Sequence, residues 1–317
     1  MGKRKPKKAG TATVKYVGLV NKKNSCWLSS TITIFLTAGP VRHIFDNMIK
    51  LDYKPVGTLL VLLLDIYSDF TSPKDSNPLD VLELINYVRQ EKKMQEGNHE
   101  DCDEVLGYLL DTMSTELDLE RSEWNGEYFC GQNFIKQFQV TKMAWIKEGD
   151  KEPREIPSDI DVGLNLYVND EMKECNIEKM LAKSEESLGG NEVRTEQITK
   201  LPHWLFVKIQ RVDSTGRKKI RTQVEPHESI DLIQTKYNLN AIIKHGSGVA
   251  ANSGHFNSFV LLEKSQKEKK WFWFNDGSKV VELENYWAVF RCTTAQTVIL
   301  SYQLVEQKEQ EEQKNNR

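Results

Sequence analysis

The sequence has no C-x-x-C pair, no long apolar run, no apolar leader and almost no net charge, and each absence removes a class of protein. Its five cysteines, Cys26, Cys102, Cys130, Cys175 and Cys292, stand singly. The paired ligands of a structural zinc site are therefore missing. The longest aliphatic run, Leu59 to Leu64, is far shorter than the roughly 20 residues that cross a bilayer. The basic start leads into Ala, Gly and Thr rather than the apolar stretch of a secretory signal. Pro6 fills the Ser/Thr position that N-myristoylation needs. A net charge of -3 over 317 residues sets up no field favouring nucleic acid or an anionic membrane. No membrane association is expected, nucleic acid is not the expected partner, and the expected location is cytoplasmic or nuclear. Thiols stay reduced there, so the scattered cysteines read as free, one of them a candidate for reactivity.

What is there suits a globular enzyme: 39% hydrophobic and 28% charged residues, enough apolar mass for a core. Charge concentrates at the ends. Lys3, Arg4, Lys5, Lys7 and Lys8 make a basic start, and residues 306–317 are rich in Glu, Gln and Lys. Residues 1–13 and 306–317 are expected to be disordered tails. The basic cluster reads first as a solvated arm, ahead of an import signal or a nucleic-acid contact.

The first third is patterned as helix. In NSCWLSSTITIF, Asn24 or Ser25 can cap a helix along which Trp27, Leu28, Ile32 and Phe35 recur, placing Cys26 in its first turn. Gly39-Pro40 ends that segment. PLDVLELINYVRQ from Pro78 and DEVLGYLLDTM from Asp103 repeat the helical spacing, and Leu59 to Leu64 reads as one buried helix face. After Trp124 the pattern turns to strands: Phe134–Trp145, Ile160–Val168, Leu205–Val212, Ile220–Val224, Leu239–Lys244, Phe256–Leu262, Lys270–Phe274 and Thr297–Val305. Ser214-Thr215-Gly216 reads as a turn. The charged stretches Lys147–Ser158 and Ala182–Thr199 read as loops or insertions. Helices followed by antiparallel strands give an α+β fold.

A thiolate nucleophile needs a lowered pKa, and a helix N-terminus contributes to that through its dipole and free N–H groups. Cys26 has that position. Cys102 has Asp101, Asp103 and Glu104 around it, which oppose ionisation. Cys130, Cys175 and Cys292 fall in or beside strand or surface-helix patterns. From spacing alone, a buried unreactive Cys26 is as good a reading as a nucleophile.

Such a nucleophile needs a base. His255 follows Ser253-Gly254 and opens an apolar strand. His245, before Gly246, is the runner-up. His203 suits a structural role, and His43, His99 and His227 read as surface residues. Asn275-Asp276 follows the strand WFWF, and a hairpin over SQKEK brings Asn275 back towards His255, where a polar group can orient the imidazole. On that tripeptide alone, Asn-Asp-Gly reads equally as a plain turn. The Cys26 N–H and the Asn21 amide are candidate oxyanion donors, with Asn24 an alternative.

These stretches together resemble the ubiquitin-specific proteases. GLVNKKNSCWLSSTITIFL resembles that family's cysteine box, HEDCDEVLGYLLDTM a later helix, and LPHWLFVKIQRV the strand with a Leu-Pro and a Lys-Arg pair. YNLNAIIKHGSGVAANSGHFNSFVLL resembles the histidine box, WFWFNDGSKV the segment with the third triad member, and VILSYQLV the last strand. They run in the family's order along nearly the whole chain. The resemblance implies a papain-like fold, with a helical thumb over about 14–120 and an antiparallel β palm and fingers over about 121–305. It implies a catalytic domain over 14–305, a Cys26–His255–Asn275 triad, Asn21 as oxyanion donor, Asp276 in support, and no cofactor or metal. It implies ubiquitin or ubiquitinated proteins as partners, cut after the C-terminal Gly-Gly. Departures occur at Trp27, Ser29, Thr33, Asp103 and Phe256, and the zinc-binding cysteines of the fingers are missing. Those departures also suit a branch acting on a ubiquitin-like modifier such as SUMO; a catalytically inactive ubiquitin-binding relative is the other alternative.

Overall fold

The computed structural model describes residues 16–95, 100–120, 123–124, 127–128, 130–156, 160–169, 174–177, 185–189, 192–212, 218–246, 253–265, 268–293 and 296–305. Its helices are α1 (Cys26–Thr37), α2 (Gly39–Lys50), α3 (Thr58–Thr71), α4 (Leu82–Glu91), α5 (Cys102–Glu120), α6 (Gly131–Ile135) and α7 (Tyr286–Thr293). The strands are β1 (Glu123–Trp124), β2 (Glu127–Tyr128), β3 (Gln139–Glu148), β4 (Arg154–Ile156), β5 (Ile160–Val162), β6 (Leu164–Tyr167), β7 (Glu174–Asn176), β8 (Glu185–Gly189) and β9 (Glu192–Lys200). They continue as β10 (Trp204–Gln210), β11 (Gln223–Glu225), β12 (Ser229–Leu232), β13 (Thr235–Gly246), β14 (His255–Ser265), β15 (Glu268–Phe274), β16 (Val281–Leu283) and β17 (Thr297–Leu304). Among the described residues no helix is long and apolar enough to cross a membrane.

The main sheet runs β16-β15-β14-β13-β17-β10-β6, with β12 also on β13. Its ladders are antiparallel except β10–β6, which is parallel, as is the small β7–β11 pair. A second sheet, β4-β3-β9-β8 with β5 on β3, is antiparallel throughout.

Alternation along the central strands gives the main sheet two apolar faces. Ala241, Ile243, Phe256, Val260 and Phe274 pack into one core with helices α1 to α5. Ile242, Phe259, Trp271, Leu300 and Tyr302 belong to a second core. All twelve residues of α1 are buried, which places this helix in the middle of the first core. Its hydroxyls are mostly satisfied within the helix: Thr31, Thr33 and Thr37 donate to the carbonyls of Trp27, Ser29 and Thr33 at 2.8, 2.8 and 2.9 Å. A polar side chain can be buried there because its hydrogen bond costs no tertiary partner.

Helix α5 also fastens α3. Glu116, 9% exposed, accepts the N–H of Leu59 at 3.1 Å and of Leu60 at 2.8 Å, meeting two of the unpaired donors at the α3 N-terminus. Glu120 accepts those of Val56 and Gly57 at 2.8 and 3.1 Å.

Four expectations are corrected. Phe134 and Ile135 belong to the short helix α6, and the strand starts at Gln139. Gly163, at φ 80° with Phe206 against it, divides Ile160–Val168 into two strands in different sheets. Ala182–Thr199 is not a loop: β8 and β9 occupy most of it. Lys147–Ser158 contains the β3–β4 hairpin. Both stretches are charged because they pair at the periphery, where backbone hydrogen bonds rather than apolar burial define a strand. The expected turn at Ser214-Thr215-Gly216 and His99 lie outside the described residues, as do the two expected tails.

Candidate functional site

The two halves of the candidate site come from opposite ends of the chain. Cys26 opens α1 and is 2% exposed. The preceding loop turns through two left-handed residues, Lys23 (φ 58°) and Asn24 (φ 56°). Neither expected side-chain cap forms on α1. The Asn21 Oδ1 accepts the Ser25 N–H at 2.8 Å instead, and the Ser25 hydroxyl accepts the Lys22 N–H at 3.1 Å. The loop is sewn to the segment before α4: the Val20 N–H donates to the Leu79 carbonyl at 2.8 Å, and the Leu79 N–H to that of Gly18 at 2.9 Å. Lys22 pairs with Asp80.

His255 is the first residue of β14, opposite Gly246 on β13. The β14–β15 hairpin sets Ser258 opposite Phe274. One further pair towards the hairpin's open end, Asn275 reaches the imidazole, with 2.6 Å between His255 Nε2 and Asn275 Oδ1. An amide oxygen only accepts, so Nε2 carries the proton and Nδ1 is left to face the thiol. Asp276, left-handed at φ 48°, turns its Oδ2 to 3.6 Å from the same Nε2.

That carboxylate oxygen also accepts the Asn21 Nδ2–H at 2.9 Å. The Asn21 amide is thereby fixed in one orientation. The Ser25 N–H demands the oxygen on one side, and the Asp276 carboxylate demands the nitrogen on the other. One of the two Nδ2 hydrogens is left over. Asn21, Asp276, His255 and Asn275 thus form one chain of polar contacts beside the N-terminus of α1.

The electrostatics match a thiol–imidazole pair. The His255 imidazole is pushed up to about 9, first by a hydrogen bond shared with the Cys26 side chain, and further by Asn275 and the Asp276 charge, while burial works against the shift. The Asp276 carboxyl is raised by burial, which the Asn21 hydrogen bond and the His255 charge oppose. Its Oδ1 is buried without a hydrogen-bond partner. Among the described residues no group of His, Cys, Asp and Glu is arranged to hold a metal.

The other sequence candidates lie elsewhere. Cys102 is the first residue of α5, not just ahead of it, and its thiol donates to the Trp27 carbonyl at 3.4 Å. Burial, more than the neighbouring carboxylates, pushes that thiol well up. His245 stands opposite Phe256, its ring stacked on the phenyl at 3.8 Å between centroids, and its Nε2 is 3.1 Å from Lys219 Nζ. Asn24 takes the left-handed turn rather than a cap. Sequence reasoning missed the fit between Gly18 and the backbone of Asp276, where a methyl group would meet the carbonyl oxygen at 2.1 Å. The signal was a glycine at the head of the cysteine box, with no side chain to suggest a task.

A model of the ubiquitin carboxyl-terminal hydrolase family matches residues 17–302. The chain belongs to that family, whose members are thiol-dependent ubiquitinyl hydrolases of the cysteine-peptidase type. A search of curated protein sequences gave no match. Among solved structures, the chain is similar to a chain of the Ubp8-Sgf11-Sgf73-Sus1 SAGA DUB module, from yeast. Identity there is 17% over 92% of this chain and 68% of that one, with a TM-score of 0.71. The same module bound to ubiquitin aldehyde matches with 16% identity, 95% and 72% coverage and a TM-score of 0.73. Bound to monoubiquitin, it matches with 16% identity, 92% and 69% coverage and a TM-score of 0.71. At such identity the likeness establishes the fold: the α+β, papain-like architecture expected from the sequence.

Proposed function

We propose that the protein is a deubiquitinating cysteine protease that hydrolyses the peptide or isopeptide bond after the C-terminal Gly-Gly of ubiquitin. Cys26 acts as nucleophile, His255 as general base and acid, and Asn275 as the residue that orients the imidazole. The observation that carries this reading is the single chain of polar contacts, Asn21–Asp276–His255–Asn275, closing on the helix terminus that bears Cys26. The ubiquitin-bound module structures support the choice of modifier by likeness of fold.

The chemistry follows from the assigned atoms. His255 Nδ1 takes the Cys26 proton, and the thiolate adds to the carbonyl carbon of the last glycine. The carbonyl electron pair moves onto oxygen, where the free Asn21 Nδ2–H and the Cys26 backbone N–H stabilise it. Collapse breaks the C–N bond, and the departing amine takes the proton from the imidazolium. Water, deprotonated by His255, then hydrolyses the thioester to a carboxylate and the free thiol. Asp276 holds Asn21 in its donating orientation and supports the imidazolium charge. No cofactor enters the cycle. The catalytic domain is assigned to residues 14–305, the helical portion to about residue 120 forming the thumb and the remainder the palm and fingers.

The test is a panel of electrophilic probes built on ubiquitin, SUMO and other ubiquitin-like proteins. A covalent adduct on Cys26 with the ubiquitin probe is the expected outcome. Cys26→Ala should abolish both labelling and cleavage while ubiquitin affinity is retained. Adducts with SUMO alone would move the assignment to that modifier, and ubiquitin binding without any adduct would identify an inactive relative.

A further inference from the structure

Arg89 lies on the buried face of α4, next to Val88 and one turn beyond Ile85, and is only 6% exposed. A guanidinium in that position carries a desolvation cost that Met or Leu would avoid while filling similar space. Packing alone therefore does not account for it. Its Nη2 donates to the Lys23 carbonyl at 2.5 Å, and its Cζ stands 5.8 Å from the centroid of the Trp27 ring. Nε and Nη1 are buried without hydrogen-bond partners, so the side chain's one short polar contact here is the one to the loop. That carbonyl belongs to the first of two successive left-handed residues, a conformation non-glycine residues hold only under constraint. The turn lies between Lys22, paired with Asp80, and Ser25, whose N–H is held by Asn21.

We propose that Arg89 is a positioning residue for the site: from behind the loop, it holds the Lys23–Asn24 turn in the geometry that presents Asn21 and Cys26. It touches neither substrate nor reacting atoms. The inference rests on the catalytic reading proposed above. Two features make arginine specific to the task. Its planar fork reaches a backbone oxygen while resting over an indole face, and its charge persists at every working pH. Lysine supplies a donor there but no planar face.

The test uses the full chain with Arg89→Met, Arg89→Lys, and Arg89→Met combined with Lys23→Gly. Steady-state cleavage of a fluorogenic ubiquitin C-terminal amide should show kcat for Arg89→Met lowered about tenfold or more, with KM within twofold. Arg89→Lys should recover part of the loss. Lys23→Gly should recover at least a third of wild-type kcat in the Met background, because glycine adopts the left-handed conformation unaided. A second readout needs no modifier: the rate of Cys26 alkylation by iodoacetamide against pH should be depressed in Arg89→Met and restored by Lys23→Gly. Wild-type kcat and alkylation in Arg89→Met would overturn the proposal. So would a kcat loss that only tracks the folded fraction, or one that neither Arg89→Lys nor Lys23→Gly relieves. If Arg89→Met does not fold, Arg89→Lys with and without Lys23→Gly carries the same comparison. A wild-type protein inert toward ubiquitin substrates would end the proposed function, and the alkylation comparison would still decide the role of Arg89.

Discussion

Gly18→Ala should inactivate the enzyme without touching a reacting group. A Cβ on Gly18 would lie 2.1 Å from the Asp276 carbonyl oxygen and 2.9 Å from that of Ser278. Carbon and oxygen rest about 3.3 Å apart even in the closest favourable contacts, so the Asp276 carbonyl must retreat by about 1 Å. Neither atom belongs to a side chain that can rotate away. Gly18 is itself pinned, its carbonyl accepting the Leu79 N–H at 2.9 Å. The strain therefore passes into the Asn275–Ser278 turn, which is closed by a 3.0 Å hydrogen bond from the Ser278 N–H to the Asn275 carbonyl. Moving that turn disturbs both the 2.6 Å contact of Asn275 with His255 and the 2.9 Å contact of Asn21 with Asp276. A 1 Å misplacement costs about a hundredfold in rate, or about 2.7 kcal/mol. The overpacking should cost about 1–3 kcal/mol of stability. Gly107→Ala is the control. It lies within α5 with nothing within 4 Å of an added methyl group, and should gain about 0.5–1 kcal/mol with kcat unchanged. Turnover of a fluorogenic ubiquitin amide and urea denaturation give both numbers. A folded Gly18→Ala enzyme within threefold of wild-type kcat would refute the claim that this glycine sets the site's geometry.

The remaining predictions concern titration, support and division of labour. The folded His255 titrates at about 9, above its ordinary value of 6.5, so protonation favours the native state. That stabilisation is complete below about pH 6.5 and is lost as pH rises through about 9. Because the side chain is 38% exposed, screening reduces the effect to about 1 kcal/mol. Urea midpoints at pH 6 and 10, compared between wild type and His255→Ala, measure it. The alkaline limb of ubiquitin-probe labelling should fall near pH 9, and Asn275→Ala should move it lower; an unmoved limb would exclude Asn275 as the imidazole's partner. Glu116→Ala should cost about 2–3 kcal/mol by leaving the Leu59 and Leu60 N–H groups unpaired, read as a lower urea midpoint with kcat per folded molecule unchanged. Asn275→Ala should cost no more activity than Asp276→Ala, because Asp276 serves both Asn21 and His255. Full activity in Asp276→Ala would remove that carboxylate from the mechanism.

The legible parts of the sequence were those where local pattern and tertiary task coincide. Helix α1, the β14–β15 hairpin and β17 carry their periodicity in apolar residues, because each is buried in the first core or the main sheet. Cys26, His255 and Asn275 stood out because each sits at the end of such an element, where chemistry needs an exposed tip on a rigid base. Helix α6 and the strands β8 and β9 were not legible. The helix has five residues, too few to show a period. In β9, EVRTEQITK, the alternation is of charge rather than hydropathy. The supporting roles of Gly18, Glu116 and Arg89 were equally hidden. Each depends on which distant backbone atom lies opposite, and no spacing along the chain encodes that.

The departures from the family pattern look different once each side chain is placed. Trp27, Ser29, Thr33 and Phe256 are 0, 3, 2 and 4% exposed. Trp27 lies beneath Arg89, Thr33 donates to the Ser29 carbonyl, and Phe256 carries the ring of His245. Asp103 meets Lys208 at 2.8 Å and accepts from Gln210 at 3.2 Å, joining α5 to β10. A buried residue discriminates between modifiers only by moving something exposed, and these five are each engaged in holding one element against another. They record how this chain packs its core, and they do not speak for SUMO over ubiquitin. Modifier choice has to be carried by side chains that reach solvent, such as Ile160 and Tyr167, at 60% and 73% exposed in the two adjoining sheets. Exchanging those residues, rather than Trp27, is the substitution that should alter a probe-selectivity profile. A profile that shifts with Trp27→Tyr and not with Tyr167→Ala would show that the core dictates recognition after all.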